Sequence, residues 1–251
     1  MIFHFALFFW SLLFLSGLEV VAFNSIFVSW QWYLISIGSL IIISLLASRR
    51  LTGNVTDAFI PSLLALASPT LLSLIDHPTE RQVFIVLSAF MYYAALLGNY
   101  RLHHAPTDKT AEAFLNSAAM AAMFFFYAGL YGFYLNFSFP LWGLMLLYSL
   151  GTTLTSYETF ITVDKKERRR VMLYSLLLGF IMGEIAWVMS LWPFGYLTVG
   201  VIGTIFYFLV WDISFDAFRD KLSLKKATLR ILFFLGLILL LLISSPWRIL
   251  V

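Results

Sequence analysis

The sequence predicts an all-α integral membrane protein, a polytopic bundle of about nine transmembrane helices with its N-terminus in the cytoplasm and its C-terminus outside. Three observations predict it. The 251 residues are 61% hydrophobic and 18% aromatic but only 12% charged, where an ordinary soluble domain is about a quarter charged. The apolar residues fall in runs of roughly 20, the length that carries a helix across a hydrocarbon core about 30 Å thick. The basic residues collect between alternate runs, which puts nearly all of them on one side of a membrane. Folded in water, a chain of this size would hide about three quarters of its unfolded surface and still show an exterior as apolar as its interior.

Residues 3–23 form the first span; they lack the basic leader and the small-residue cleavage site of a signal peptide and read as a retained helix. The second, 26–47, stops before Arg49 and Arg50. The third and fourth, 58–76 and 82–101, turn near Pro78. The fifth and sixth, 111–136 and 139–162, turn near Pro140, and the seventh and eighth, 171–192 and 195–216, near Pro193. Proline ends one helix and opens the next at each turn. The ninth, 229–247, is almost pure Leu, Ile and Phe from Ile231 to Ile243, as suits a peripheral helix facing lipid. Helix is forced throughout, because an unpaired peptide group in hydrocarbon costs several kcal/mol and no ten-residue alternating strands are present to close a barrel. With no linker or polar domain between the runs, residues 1–251 read as one transmembrane domain. Gly151 and Gly203 each follow a turn proline by about ten residues, a rhythm that leaves both an internal duplication and repeated hairpin grammar open.

Orientation comes from Lys and Arg. Of the 16 basic residues, 14 lie on the side reached after an even number of crossings: Arg49, Arg50, Arg101, Lys109, Lys165, Lys166, Arg168, Arg169, Arg170, Arg219, Lys221, Lys225, Lys226 and Arg230. Only Arg81 and Arg248 lie opposite. The positive-inside rule makes the rich side cytoplasmic. The same charges attract anionic lipid at about 1 kcal/mol each, so the net charge of +3 calls for no nucleic acid. The expected partners are membrane lipids and other membrane proteins. Short loops without sorting signals lean toward a prokaryotic plasma membrane.

Several chemistries lack their residues. With no cysteine there are no disulfides, thiolate ligands or thiol nucleophiles. No H-E-x-x-H, G-x-S-x-G or P-loop pattern occurs, His103 and His104 are adjacent rather than a turn apart, and no cofactor or metal is expected.

Ionisable groups inside a span are the sharpest pointers, since one at the centre costs about 3 kcal/mol even on insertion scales. Glu184 lies about 21 Å along the seventh span from Arg170, in the outer half, and Glu19 lies about 24 Å along the first. Gly179 and Gly183 precede Glu184 as a small-xxx-small pair that admits a close neighbour. This predicts a carboxyl turned into or beside a protein interface, with Trp187 three residues on as a possible pocket wall. Tyr127, Tyr131 and Tyr134 make a phenolic stripe that could line a polar passage or simply pack. At the cytoplasmic end Asp212, Asp216 and Asp220 recur every four residues, Glu158 sits at comparable depth, and Arg168, Arg169 and Arg170 lie nearby. Carboxylates there could hold a hard cation and the arginines a phosphate, or the two sets could neutralise each other. Asp212 and Asp216 share the D-x-x-x-D ending of the CDP-alcohol phosphotransferase signature, but its D-G-x-x-A-R half is absent and Phe208 stands where it has glycine.

Three functions remain from the sequence. The first is non-enzymatic transport or binding of a small or lipid-like solute through Glu19, Glu184, Trp187, Tyr127 and Tyr131. The second is an intramembrane transferase acting on a phosphorylated lipid through Glu158, Asp212, Asp216 and Arg168 to Arg170. The third is a scaffold or complex subunit.

Overall fold

The computed structural model describes residues 2–23, 30–54, 56–105, 107–163 and 167–245. Lys165, Lys166, Arg248 and the outermost ends of the second and ninth expected spans lie outside the described residues. Among those residues there are nine α-helices and no strand: α1 (Ile2–Phe23), α2 (Trp30–Thr52), α3 (Phe59–Leu72) preceded by a 3-10 turn (Thr56–Ala58), α4 (Pro78–His104), α5 (Lys109–Asn136), α6 (Leu141–Val163), α7 (Arg168–Ser190), α8 (Tyr196–Phe218) and α9 (Leu224–Ser244). Each matches one expected span, and the protein is an all-α polytopic membrane bundle.

Seven of these helices are long and apolar enough to cross a membrane; α3 and α6 are the exceptions. The 14 residues of α3 rise only about 21 Å, and the helix stops at Leu72 rather than continuing to 76 as the apolar run suggests. Pro69 lies inside it, and the N–H groups of Leu74 and Ile75 close tight turns onto Leu71 and Leu72. Neighbours surround this short helix, with Leu64, Ala65, Ala67, Leu71 and Leu72 all buried, which is where irregular backbone at membrane depth is tolerated. The 23 residues of α6 are long enough, but Thr152, Thr153, Thr155, Ser156 and Glu158 lower its hydropathy.

The helix ends follow their capping chemistry. Proline occupies the first turn of α4. Asp108 caps α5, accepting hydrogen bonds from the N–H groups of Thr110 (3.0 Å) and Ala111 (3.2 Å) and from the Thr110 hydroxyl (2.6 Å), while Arg101 at the end of α4 pairs with it at 2.6 Å. Those hydrogen bonds, led by the Thr110 hydroxyl, hold the Asp108 carboxyl below its ordinary range. Gly53 ends α2 at φ +76°, with its N–H on Arg49 O at 3.1 Å.

The chain divides into two compact units, Met1–Phe126 and Tyr127–Val251, with the division falling inside α5. The sequence, which reads as one continuous bundle, does not mark it. In the N-terminal unit α1 to α4 pack on one another. Leu7, Phe14, Leu18 and Leu40 form the core, and Phe14 stacks on Tyr92 with centroids 4.1 Å apart.

The C-terminal unit is organised by the contact of α6 with α7. A β-carbon added at Gly179 would lie 2.6 Å from the Ser149 carbonyl oxygen, and one at Gly183 would lie 3.3 Å from that of Met145. The small-xxx-small pair therefore brings the two backbones together as its spacing predicts. Further along, α8 packs on α7 and α9 on α8, and Gly200 of α8 sits against Ala128. Only 6% of the spanning window of α9 is buried, in keeping with the peripheral position its composition suggests.

Candidate functional site

Glu184 does not turn inward. The face of α7 that meets α6 and α8 carries Ser175, Leu178, Gly179, Met182, Gly183 and Ala186, all buried. Glu184 is exposed, among exposed Leu177, Phe180, Trp187 and Leu191. The reason is rotation: adjacent residues point about 100° apart on a helix, so a carboxyl next to a packed glycine faces away from the contact. Among the described residues it makes no hydrogen bond or ion pair. Glu19 is half-buried near the C-terminal end of α1 and accepts a hydrogen bond from Gln82 Nε2 of α4 at 3.2 Å.

Where α7 begins and α8 ends, in the C-terminal unit, the carboxylates are paired with arginines. One nitrogen of Arg230, at the start of α9, lies 2.7 Å from both Asp212 Oδ2 and Asp216 Oδ2 on α8. Asp220, at φ +55° just past α8, meets Arg170 at 3.0 Å. Arg170 also contacts Glu167 at 3.5 Å and lies over the rings of Phe218 and Tyr174. Thus α8 is tied to α9 by one ion triad and to α7 by another.

Glu158 and Asp212 do lie on helices that meet, since the Trp211 indole N–H donates to Thr159 Oγ1 at 3.1 Å. Among the described residues, however, no three His, Asp or Glu side chains are grouped to hold a metal ion. Arg168 and Arg169 are exposed and line a shallow open depression with Glu167, Arg170 and Leu173.

Tyr127 and Tyr131 of the tyrosine stripe are buried, and Tyr134 is half-buried. Tyr127 is 0% and Tyr131 1% exposed. The Tyr127 hydroxyl shares a hydrogen bond with Thr152 Oγ1 at 2.6 Å, Tyr148 OH donates to Tyr127 O at 2.8 Å, and Tyr131 OH donates to Met189 O at 3.1 Å. With Tyr127 stacked on Tyr148 at 4.5 Å, these groups satisfy one another and bind α5, α6 and α7 together.

Among the described residues, most of the buried hydroxyls without a hydrogen-bond partner are in the N-terminal unit, with Ser156 of α6 an exception in the C-terminal one. Ser48 of α2 and Ser88 and Tyr92 of α4 are buried, with hydroxyls that have no hydrogen-bond partner among the described residues. Ser44 and Ser48 are one turn apart on α2, as are Ser88 and Tyr92 on α4, so each pair shares a face. The Tyr92 hydroxyl comes beside Ser44 without closing a bond of good geometry, and Ser44 donates instead to Leu40 O at 2.9 Å.

With α2 packed on α4, these groups form a hydroxyl seam; at the end of it nearer Arg49 and Arg101, Thr52 donates to Ser48 O at 3.0 Å and Asn99 Nδ2 donates to Asp57 O at 2.5 Å. Along the helix axes Tyr92 lies about 10 Å from Asn99, and Ser48 and Ser44 about 6 and 12 Å from Thr52. Further out the seam meets Leu40, packed so tightly on Gly17 that an added β-carbon there would lie 2.5 Å from Leu40 Cδ2. Beyond this apolar closure the buried Tyr33 hydroxyl, beside Thr70 and Ser73, is again without a bonded partner. The signal legible in the sequence was the i, i+4 recurrence of Ser44, Ser48 and Thr52, ordinary enough in a membrane helix to carry nothing by itself.

An unpaired buried hydroxyl costs about 1–3 kcal/mol, and native proteins keep few of them. The seam holds donors and acceptors but no charge, so it is chemically suited to small neutral hydrogen-bonding molecules.

No curated protein and no solved structure matches the chain. A family model described as "Protein of unknown function (DUF5656)" matches residues 33–245, from α2 to the end of α9.

Proposed function

The chain belongs to the DUF5656 family, and from that premise we propose that it binds small uncharged polar molecules, water and small polyols, between α2 and α4, and passes them across the membrane. The observation that carries this reading is the set of buried, unpartnered hydroxyls of Ser48, Ser88 and Tyr92 on facing helices. Ligand hydroxyls would satisfy these groups, and the absence of charge in the seam disfavours ions. Leu40 on Gly17 separates the inner hydroxyls from Tyr33, so passage requires that contact to open. The solute reading thus moves from Glu184 and the tyrosine stripe to the N-terminal unit. The transferase reading has less to stand on, because Arg230 occupies both Asp212 and Asp216. The exposed cytoplasmic arginines and lysines serve, in this reading, to hold anionic lipid headgroups.

The test is osmotic permeability of proteoliposomes to water and to glycerol, followed by light scattering. Wild-type vesicles exceed protein-free ones, and Ser48→Val with Ser88→Val returns them to background while circular dichroism remains helical. If wild-type vesicles are no leakier than protein-free ones, or if the double variant permeates as wild type does, the reading fails.

A further inference from the structure

We infer that the depression at the start of α7 holds the phosphate headgroup of one anionic lipid, gripped by Arg168 and Arg169 with Leu173 beneath its acyl chain. This rests on the reading that exposed arginines of the chain meet anionic lipid, and it names the place and the residues. Three arginines, Arg168, Arg169 and Arg170, line the depression against one carboxylate, Glu167. Arg170 is already engaged: it pairs with Asp220 at 3.0 Å and with Glu167 at 3.5 Å, and it lies over the rings of Phe218 and Tyr174. Arg168 and Arg169 are exposed and make no hydrogen bond or ion pair among the described residues. Two guanidinium groups therefore border an open concavity without a counter-charge.

Charge selects an anion, and depth selects a lipid. The 23 residues of α7 begin with the three arginines, and the rest of the helix rises about 30 Å, the thickness of the hydrocarbon core. With that length in hydrocarbon, Arg168 and Arg169 stand within about 5 Å of its edge, in the polar layer that holds lipid headgroups. Guanidinium groups present planar forks of N–H donors that match phosphate oxygens two at a time. Leu173 in the wall of the depression and Met172 beside it are exposed about one turn deeper, where an acyl chain leaves its headgroup. A free phosphate ion would use the arginines but nothing of this apolar wall.

The test is titration of the full chain in detergent with phosphatidylglycerol or phosphatidylcholine, with bound lipid counted by native mass spectrometry. Wild type should retain phosphatidylglycerol in preference to phosphatidylcholine. Arg168→Gln with Arg169→Gln, both at exposed positions and so expected to stay folded by circular dichroism, should weaken phosphatidylglycerol binding by about tenfold or more, the order set by two arginines near anionic lipid. Arg49→Gln with Arg50→Gln removes the same charge from exposed positions on α2 and should leave the affinity within about twofold of wild type. Inorganic phosphate at millimolar concentration should not displace the lipid. Equal retention of the two lipids, a Arg168→Gln, Arg169→Gln protein that binds as wild type does, an equal loss in the α2 variant, or displacement by inorganic phosphate would each overturn the proposal. Water and glycerol permeability depends on the other unit and should be unchanged by the α7 variant, so failure of the lipid site and failure of the solute reading are told apart.

Discussion

Gly179→Ala tests the account of the C-terminal unit most directly. The new methyl carbon would overlap Thr153 Oγ1 and sit 2.6 Å from the Ser149 carbonyl oxygen. The threonine can rotate about its χ1 bond, but the carbonyl belongs to the backbone of α6 and cannot turn away. Relief therefore requires α7 to retreat by about 1 Å, a gap that forfeits a quarter to a half of the dispersion energy of the contacts it opens. Overpacking of this kind costs about 1–3 kcal/mol, and the immovable carbonyl places Gly179→Ala in the upper half of that range, near 2–3 kcal/mol. At about 2–4 °C per kcal/mol for a protein of this size, the melting temperature in detergent should fall by roughly 4–12 °C. Gly236 of α9 has nothing within 4 Å of an added β-carbon, so Gly236→Ala should be neutral or stabilise by up to about 1 kcal/mol through helix propensity. Thr153→Ala on the Gly179→Ala background should recover part of the loss but not all, since the Ser149 contact persists. Thermal denaturation of the four proteins followed by circular dichroism decides it. A Gly179→Ala protein as stable as wild type, or a Gly236→Ala loss of equal size, would refute the claim that this glycine sets the separation of α6 and α7.

Other perturbations probe the remaining claims. Tyr92→Phe removes a buried hydroxyl without a bonded partner, so without added solute it should raise stability by about 1 kcal/mol while lowering glycerol permeability, both measurable on one preparation. Arg230→Met strands Asp212 and Asp216 beside each other and should cost about 1–2 kcal/mol, discounted for the partial exposure of all three groups; adding Asp212→Asn should restore much of it in the same melting assay. Because the Asp108 carboxyl is held below its ordinary range by its capping hydrogen bonds, its contribution is full above the unfolded-state value near 4 and is lost as pH falls through the lower folded value. Asp108→Asn should therefore flatten the acid limb of a pH–stability profile. Reporter fusions after Arg50, Lys109, Arg170 and Lys226 should all read cytoplasm and one after Val251 the opposite side; any reversal would change the assignment of spans.

The sequence by itself determined the class, the helices and their order, because each depends on one-dimensional quantities: the length of an apolar run against the thickness of a bilayer, and the position of prolines. It also identified Gly179 and Gly183 as a close-packing pair, since spacing of four residues defines a face without reference to a partner. What it left open was which way each polar group turns and what it meets. Glu184 and Gly183 are neighbours in sequence, yet one is exposed and the other packed on α6, because each residue advances the helix by about 100°. Asp212 and Asp216 were legible as a stripe, but their partner Arg230 comes from a helix beyond the next turn, and only the packing of α9 on α8 brings it within 2.7 Å. Ser48, Ser88 and Tyr92 carry no signal in sequence, since a hydroxyl in a membrane helix ordinarily bonds its own backbone; that they do not, and that α2 and α4 bring them together, is a consequence of tertiary packing, in which the rotation of each helix about its axis is fixed by its neighbours rather than by its own residues.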